Sequence, residues 1–243
     1  MNHALKLCMA GLVMAPWGAS QAIELSKDFS LALNAGIYSD YKSRGVSQTQ
    51  GDPAIQGSAT LSHSSGLYAG VWSSSVDLGL GSATRQEIDY YAGWFWQATD
   101  DISLDLAYYD YEYPKQSGLN YSETYARLTA YGAYVGGYYS DDLYGNQSSL
   151  YSFVGYGMTL PLDIGLDVRY GRVDFKDRLI ADANGHSRDS YNEWQVMVKK
   201  EVFSLDWSLS YVDSDLSRSE CSNYSGFRDT CSASLVAGVS KSF

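Results

Sequence analysis

The chain has 243 residues, enough for one sizeable domain or one medium barrel. A mean hydropathy of −0.26 is too polar for a helical membrane protein, yet only 19% of residues are charged, which is low for a soluble acidic protein. The formal net charge of −11 excludes nucleic-acid binding by phosphate neutralisation. With Tyr 22, Gly 23 and Trp 6 against Pro 4, the composition favours strands with aromatic interfaces, and no stretch carries the 3.6-residue period of a long helix.

Residues 1–22 read as a secretory signal peptide. A short segment with Lys6 precedes an apolar core over 7–14, Pro16 breaks it, and Ala19-Ser20-Gln21-Ala22 supplies small residues for cleavage. The core is too short for an anchor, and Cys8 lies inside it, where a lipoprotein cysteine would follow it. Cleavage removes Lys6, so the mature chain from Ile23 holds 16 basic against 28 acidic residues, a net charge of −12.

From Phe29 onward the chain alternates with a period of two. The first strand sets Phe29, Leu31, Leu33, Ala35 and Ile37 against Ser30, Ala32, Asn34, Gly36 and Tyr38. Its polar row continues through Asp40, Lys42 and Arg44, so the strand is expected to run on towards an outer mouth, where Arg44 is the candidate charge. Further strands follow near 55–61, 67–76, 88–97 and 102–109, then near 122–130 and 133–140, the last with ambiguous faces. Others follow near 150–160, 164–170, 192–199 and 205–211, with loops expected at 141–147 and 174–190. The last ten residues alternate again and end on Phe243, with Lys241 interrupting the apolar row.

About twelve strands of near ten residues result, the length a tilted membrane strand needs. Short connections at 64–66, 98–101, 131–132, 161–163 and 200–203 alternate with long ones. The expected fold is therefore all-β, a transmembrane up-and-down antiparallel β-barrel over 23–243 with both termini periplasmic. A soluble sandwich or lipocalin-like barrel is the alternative, and it needs the Trp- and Tyr-ended rows inside. Cys221 and Cys231, the two cysteines left after cleavage, flank a polar turn-forming segment and are expected to pair in an oxidising compartment.

The stretch Ala35-Gly-Ile-Tyr-Ser-Asp-Tyr-Lys-Ser-Arg-Gly-Val-Ser-Gln-Thr-Gln50, with Tyr68-Ala-Gly-Val-Trp-Ser-Ser-Ser-Val-Asp77 and Ser240-Lys-Ser-Phe243, resembles the TorF family of porins. The resemblance implies an outer-membrane barrel and transport. The family offers no catalytic or substrate residues to carry over. A terminal aromatic such as Phe243 also resembles the signal read by barrel-assembly machinery, an expected partner beside outer-membrane lipid.

Charges on the non-lipid row are Glu87, Asp89, Asp105, Glu123, Arg127, Asp167, Arg169, Glu193, Lys199 and Asp206. Facing hydrocarbon at mid-membrane would cost roughly 2–4 kcal/mol for Arg or Lys, so these point inward, where they either pair across a narrow lumen or line a wet path. The expected function is a narrow channel for small polar solutes or ions, needing no cofactor and no metal. A closed barrel acting through its external loops is the alternative. A lipid hydrolase comes third: His63 and Ser65 have a suitable spacing, but they abut a short turn on the periplasmic side. His186, with Asp182, Asn184 and Asp189, reads as a solvated loop.

Overall fold

The computed structural model describes residues 22–79, 81–145 and 147–243. The expected leader lies outside the described residues, apart from Ala22. Twelve long strands form one antiparallel sheet: β1 (Phe29–Tyr38), β2 (Ala54–His63), β3 (Leu67–Ser75), β4 (Gln86–Gln97), β5 (Ile102–Glu112) and β6 (Tyr121–Ala130). They continue as β7 (Ala133–Leu143), β8 (Gln147–Leu160), β9 (Ile164–Phe175), β10 (Ser190–Val202), β11 (Leu205–Ser214) and β12 (Ser234–Ser242). Each strand pairs with its neighbours in sequence, and β1 pairs with both β2 and β12. The sheet is thus closed and leaves no long unpaired edge.

The seam is short on one side, because β12 reaches only Asn34 on β1. Below it, Phe243 exchanges both backbone hydrogen bonds with Leu33, and Ile23–Glu24 pairs with Leu31 and Ser30. The two ends of the described chain together cover the edge of β1.

The alternation sorts the faces as expected. Leu106, Leu128, Val154, Val168, Val196 and Leu209 are exposed on the outside, an apolar belt around a closed sheet. Trp94, Trp96, Tyr131, Phe203, Trp207 and Phe243 are exposed near the short-turn end, and Tyr90, Tyr108, Tyr139 and Tyr211 lie on the outside nearer the long loops. That is the surface of a membrane barrel, not of a soluble one with its apolar rows inside. β7, whose faces the sequence left open, turns Tyr134, Tyr138 and Ser140 inward and Val135 and Tyr139 outward.

Three connections differ from expectation. β1 stops at Tyr38 and does not run on through Arg44; residues 39–53 fold back into the barrel. The loop expected at 141–147 shrinks to 144–146, because β7 and β8 extend to Leu143 and from Gln147. Turns at 131–132 and 203–204 are two-residue hairpins with both central residues at positive φ, the geometry that matches strand twist, and the three-residue turn at 161–163 has Leu162 and Asp163 at positive φ. The connection expected at 200–203 lies at 203–204, because β10 runs on to Val202 and β11 begins at Leu205.

Inward tyrosines lie across glycines of adjacent strands. A Cβ built on Gly93 would sit 2.5 Å from the Tyr68 ring, and Gly155 bears the same relation to Tyr134. The glycine richness is thus the space the inner rings occupy, as when an aromatic side chain covers a sheet glycine.

Candidate channel interior

Residues 39–53 carry a small inner hairpin, Lys42–Ser43 paired with Val46–Ser47, with Arg44 and Gly45 at its tip. Arg44 has φ 47 and Gly45 φ 83, as a two-residue turn demands. The base is fixed by Asp40, whose carboxylate accepts hydrogen bonds from Ser47 and Thr49. Gly45 touches the far wall: a Cβ there would meet those of Glu193 and Ser214 at 3.1 Å. The Tyr191 hydroxyl donates to the Arg44 carbonyl at 3.0 Å.

Arg44 itself spans to strands far from its root. Its Nη2 is 2.6 Å from Glu123 Oε2 on β6, and its guanidinium lies 4.8 Å from the Tyr151 ring centroid and 5.2 Å from that of Tyr138. Tyr111 also donates to Glu123, at 2.9 Å. Expected as a charge at the outer mouth, Arg44 is held inside the barrel by an ion pair to Glu123, close to the long-loop end of β6. The hairpin therefore crosses the lumen.

The ten inward charges all face the interior, and they divide into two sets. Glu87, Asp89, Arg169, Lys199 and Asp206 line a cavity of about 600 Å³. Asp105, Glu123, Arg127, Asp167 and Glu193 pack into the wall. Tyr68 donates to Asp105 at 2.7 Å, Tyr134 donates to Asp167 at 2.9 Å, and Arg127 lies 4.0 Å over the Tyr134 ring. Arg169 grips Glu193 through Nε and Nη2 at 3.1 and 3.3 Å, and Tyr151 adds a third bond to that carboxylate. Lys199 and Asp206 face each other at 3.7 Å near the short-turn end. Buried carboxylates need such partners, since each unpaired one is costly.

The cavity has two unlike sides. Tyr109, Tyr111, Tyr138, Tyr151 and Phe153 form an aromatic wall on β5, β7 and β8. Opposite stand Gln195, Lys199, Ser208, Ser210 and Ser240 from β10, β11 and β12. The small side chains of Ser208, Ser210 and Ser240 leave space on that second arc.

A cap lies over the long-loop end. Within 215–233, helix α1 (Arg218–Ser225) begins at a capping box between Ser217 and Glu220 and ends at Gly226, φ 84. A disulfide joins Cys221 to Cys231. Arg188 clamps Glu220 at 2.7 and 3.1 Å and reaches Asp215 at 3.1 Å. Burial raises the Glu220 pKa, but the Ser217 and Arg188 hydrogen bonds outweigh it and hold this carboxyl below its ordinary value. The same segment grips the inner hairpin: Lys42 donates to the Ser232 and Thr230 carbonyls at 2.6 and 3.3 Å, and Ser47 N donates to Thr230 O at 2.8 Å.

The remaining candidates are turn features. His63 Nδ1 is 2.8 Å from Ser65 Oγ and also accepts from Ser65 N, within the exposed turn between β2 and β3. Asp182 accepts from the backbone N–H groups of Asn184 and His186, an Asx-type cap on an exposed loop. Among the described residues no group of His, Cys, Asp and Glu is placed to hold a metal ion.

A family model described as "Bacterial protein of unknown function (Gcw_chp)" matches residues 22–243. The chain belongs to that family. A comparison with curated proteins found no match. Among solved structures, this Gcw_chp chain resembles the KdgM porin with a TM-score of 0.50 at 10% identity, over 87% of this chain and 99% of that one. The KdgM porin in complex with disordered oligogalacturonate gives 0.50 and 10% over 88% and 98%. The NanC porin gives 0.49 and 14% over 86% and 97%. At such identity the KdgM likeness bears on the fold alone, and it agrees with the closed antiparallel barrel of twelve long strands seen here. With its apolar belt, that fold belongs in the bacterial outer membrane.

Proposed function

We propose that the chain is a narrow outer-membrane channel through which small polar solutes or ions diffuse passively. The observation that carries this reading is one cavity that reaches towards both ends of the barrel: its lining includes Gln50 and Gln116 in loops at one end and Lys199 and Asp206 near the other. The Arg44 hairpin is the constriction, and the cavity-lining charges Glu87, Asp89, Arg169, Lys199 and Asp206 bias which solutes pass. Asp105, Glu123, Arg127, Asp167 and Glu193 serve the same path indirectly, by holding its wall.

The mature chain begins after residue 22, both ends face the periplasm, and Phe243 is read during assembly into outer-membrane lipid. Resemblance to the TorF porins agrees with this reading. The chain is not an enzyme in this proposal, and the His63–Ser65 pair caps a turn.

A second reading, a closed barrel acting through its loops, is favoured by the hairpin that crosses the lumen. Single-channel recording of the refolded mature protein separates the two. Discrete ohmic steps are expected of the channel, whereas folded but electrically silent protein supports the closed barrel.

A further inference from the structure

Among the described residues, Glu87, Asp89 and Glu123 are the inward carboxylates with an unpartnered buried oxygen, and of the three only Glu123 has an ion pair. Glu87 and Asp89 line the cavity and are only 3% and 2% exposed, yet Glu87 Oε2 and Asp89 Oδ1 have no hydrogen-bond partner. The neighbouring cations are committed elsewhere: Arg44 to Glu123, Arg169 to Glu193, Lys199 to Asp206, and Lys42 to backbone carbonyls. Two buried carboxylates without a counter-charge call for a positive group or a proton.

The surroundings are aromatic. Tyr41 donates to Glu87 Oε1 at 3.3 Å, Tyr111 is the cross-strand partner of Asp89, and one register step further brings Tyr113 opposite Glu87. Tyr111 and Tyr121 stack at 4.4 Å, and all four rings line the same cavity. A small hard metal ion needs a shell of oxygen ligands, which the described residues do not assemble here. Ring faces beside carboxylates suit a larger, weakly hydrated cation.

We propose that this pocket binds a small organic ammonium ion and makes the channel selective for such cations. The inference deepens the channel reading and rests on it for its physiological meaning, though binding itself does not require conduction. Glu87 and Asp89 supply the charge, Tyr41, Tyr113 and Tyr121 supply the aromatic lining while Tyr111 is stacked on Tyr109 and Tyr121, and the route from the long-loop end passes Gln50 and Gln116.

The test titrates tetramethylammonium into the refolded mature protein by calorimetry, with tert-butanol as a neutral isostere, and records bilayer currents with KCl facing tetramethylammonium chloride. The expected result is binding of tetramethylammonium but not of tert-butanol, weakened about tenfold or more in E87Q/D89N and less in Y113L. Reversal potentials should show tetramethylammonium carrying current, and this preference should fade in E87Q/D89N. Folding of each variant is checked by heat-modifiable gel migration, and E87Q alone replaces the double variant where that one fails to fold. Equal binding of both probes, or tetramethylammonium binding unchanged in E87Q/D89N and E87Q, overturns the site and leaves a proton shared by the two carboxylates. Charge-dependent binding in a protein silent in KCl keeps the site and overturns the channel. Conductance without binding does the reverse.

Discussion

Arg44 concentrates much of the interior in one side chain. It closes a turn at positive φ, neutralises Glu123 and lies beside two tyrosine rings, so its loss leaves a carboxylate buried without a counter-charge. Arg44→Ala should destabilise the folded barrel by about 3–5 kcal/mol in urea titration, because breaking a buried ion pair costs more than the pair contributes. Arg44→Met with Glu123→Gln should recover most of that loss, and bilayer conductance should rise in both variants as the constriction weakens. Gly93 provides a second residue-scale test. A methyl group there meets the Tyr68 ring and the Leu106 carbonyl oxygen, each at 2.5 Å, so Gly93→Ala should cost roughly 1–3 kcal/mol by overpacking. The inward direction of all ten charged candidates was legible from alternation. Their partners were not, because Glu193 meets Arg169 and Tyr151 only once β8, β9 and β10 lie side by side.

The element that binds the mouth together is the segment 215–233. Its helix was announced by Ser217-Arg218-Ser219-Glu220, a capping-box spacing that a polar, turn-like composition concealed. Because Thr230 and Ser232 flank Cys231 and hold Lys42 and Ser47, the disulfide restrains the inner hairpin as well as its own loop. Cys221→Ser with Cys231→Ser should lower stability by about 2–3 kcal/mol. Hydrogen exchange should then quicken both in 215–233 and in 39–53, and quickening confined to 215–233 would count against the coupling. Glu220 adds a pH dependence of known sign. Its pKa is depressed by folding, so its stabilisation is complete above the ordinary glutamate value and fades as pH falls through the lower folded value. The protection factors of amides in 215–233 should fall only below about pH 4 in the native protein. In Glu220→Gln they should already be low at neutral pH.

At the scale of the whole molecule, the outer and inner faces of one sheet meet different solvents. Val154, exposed near the middle of β8, faces hydrocarbon, so Val154→Arg should cost roughly 2–4 kcal/mol in refolding equilibria with lipid vesicles. The approximate strand number, the antiparallel order and the sorting of faces, those of β7 excepted, followed from the sequence alone. A period of two is a local property, and each strand carries it independently of where its partners stand. The pairing of Cys221 with Cys231 was equally legible, since ten residues of separation leave these two cysteines close in any compact loop. Only the tertiary structure decided that residues 39–53 turn inward, that Arg44 finds Glu123 79 positions away, and which five of ten charges line the cavity. Those outcomes depend on the closure of the sheet. Closure brings distant strands into contact across the lumen, and no periodicity within one strand records what it will face there.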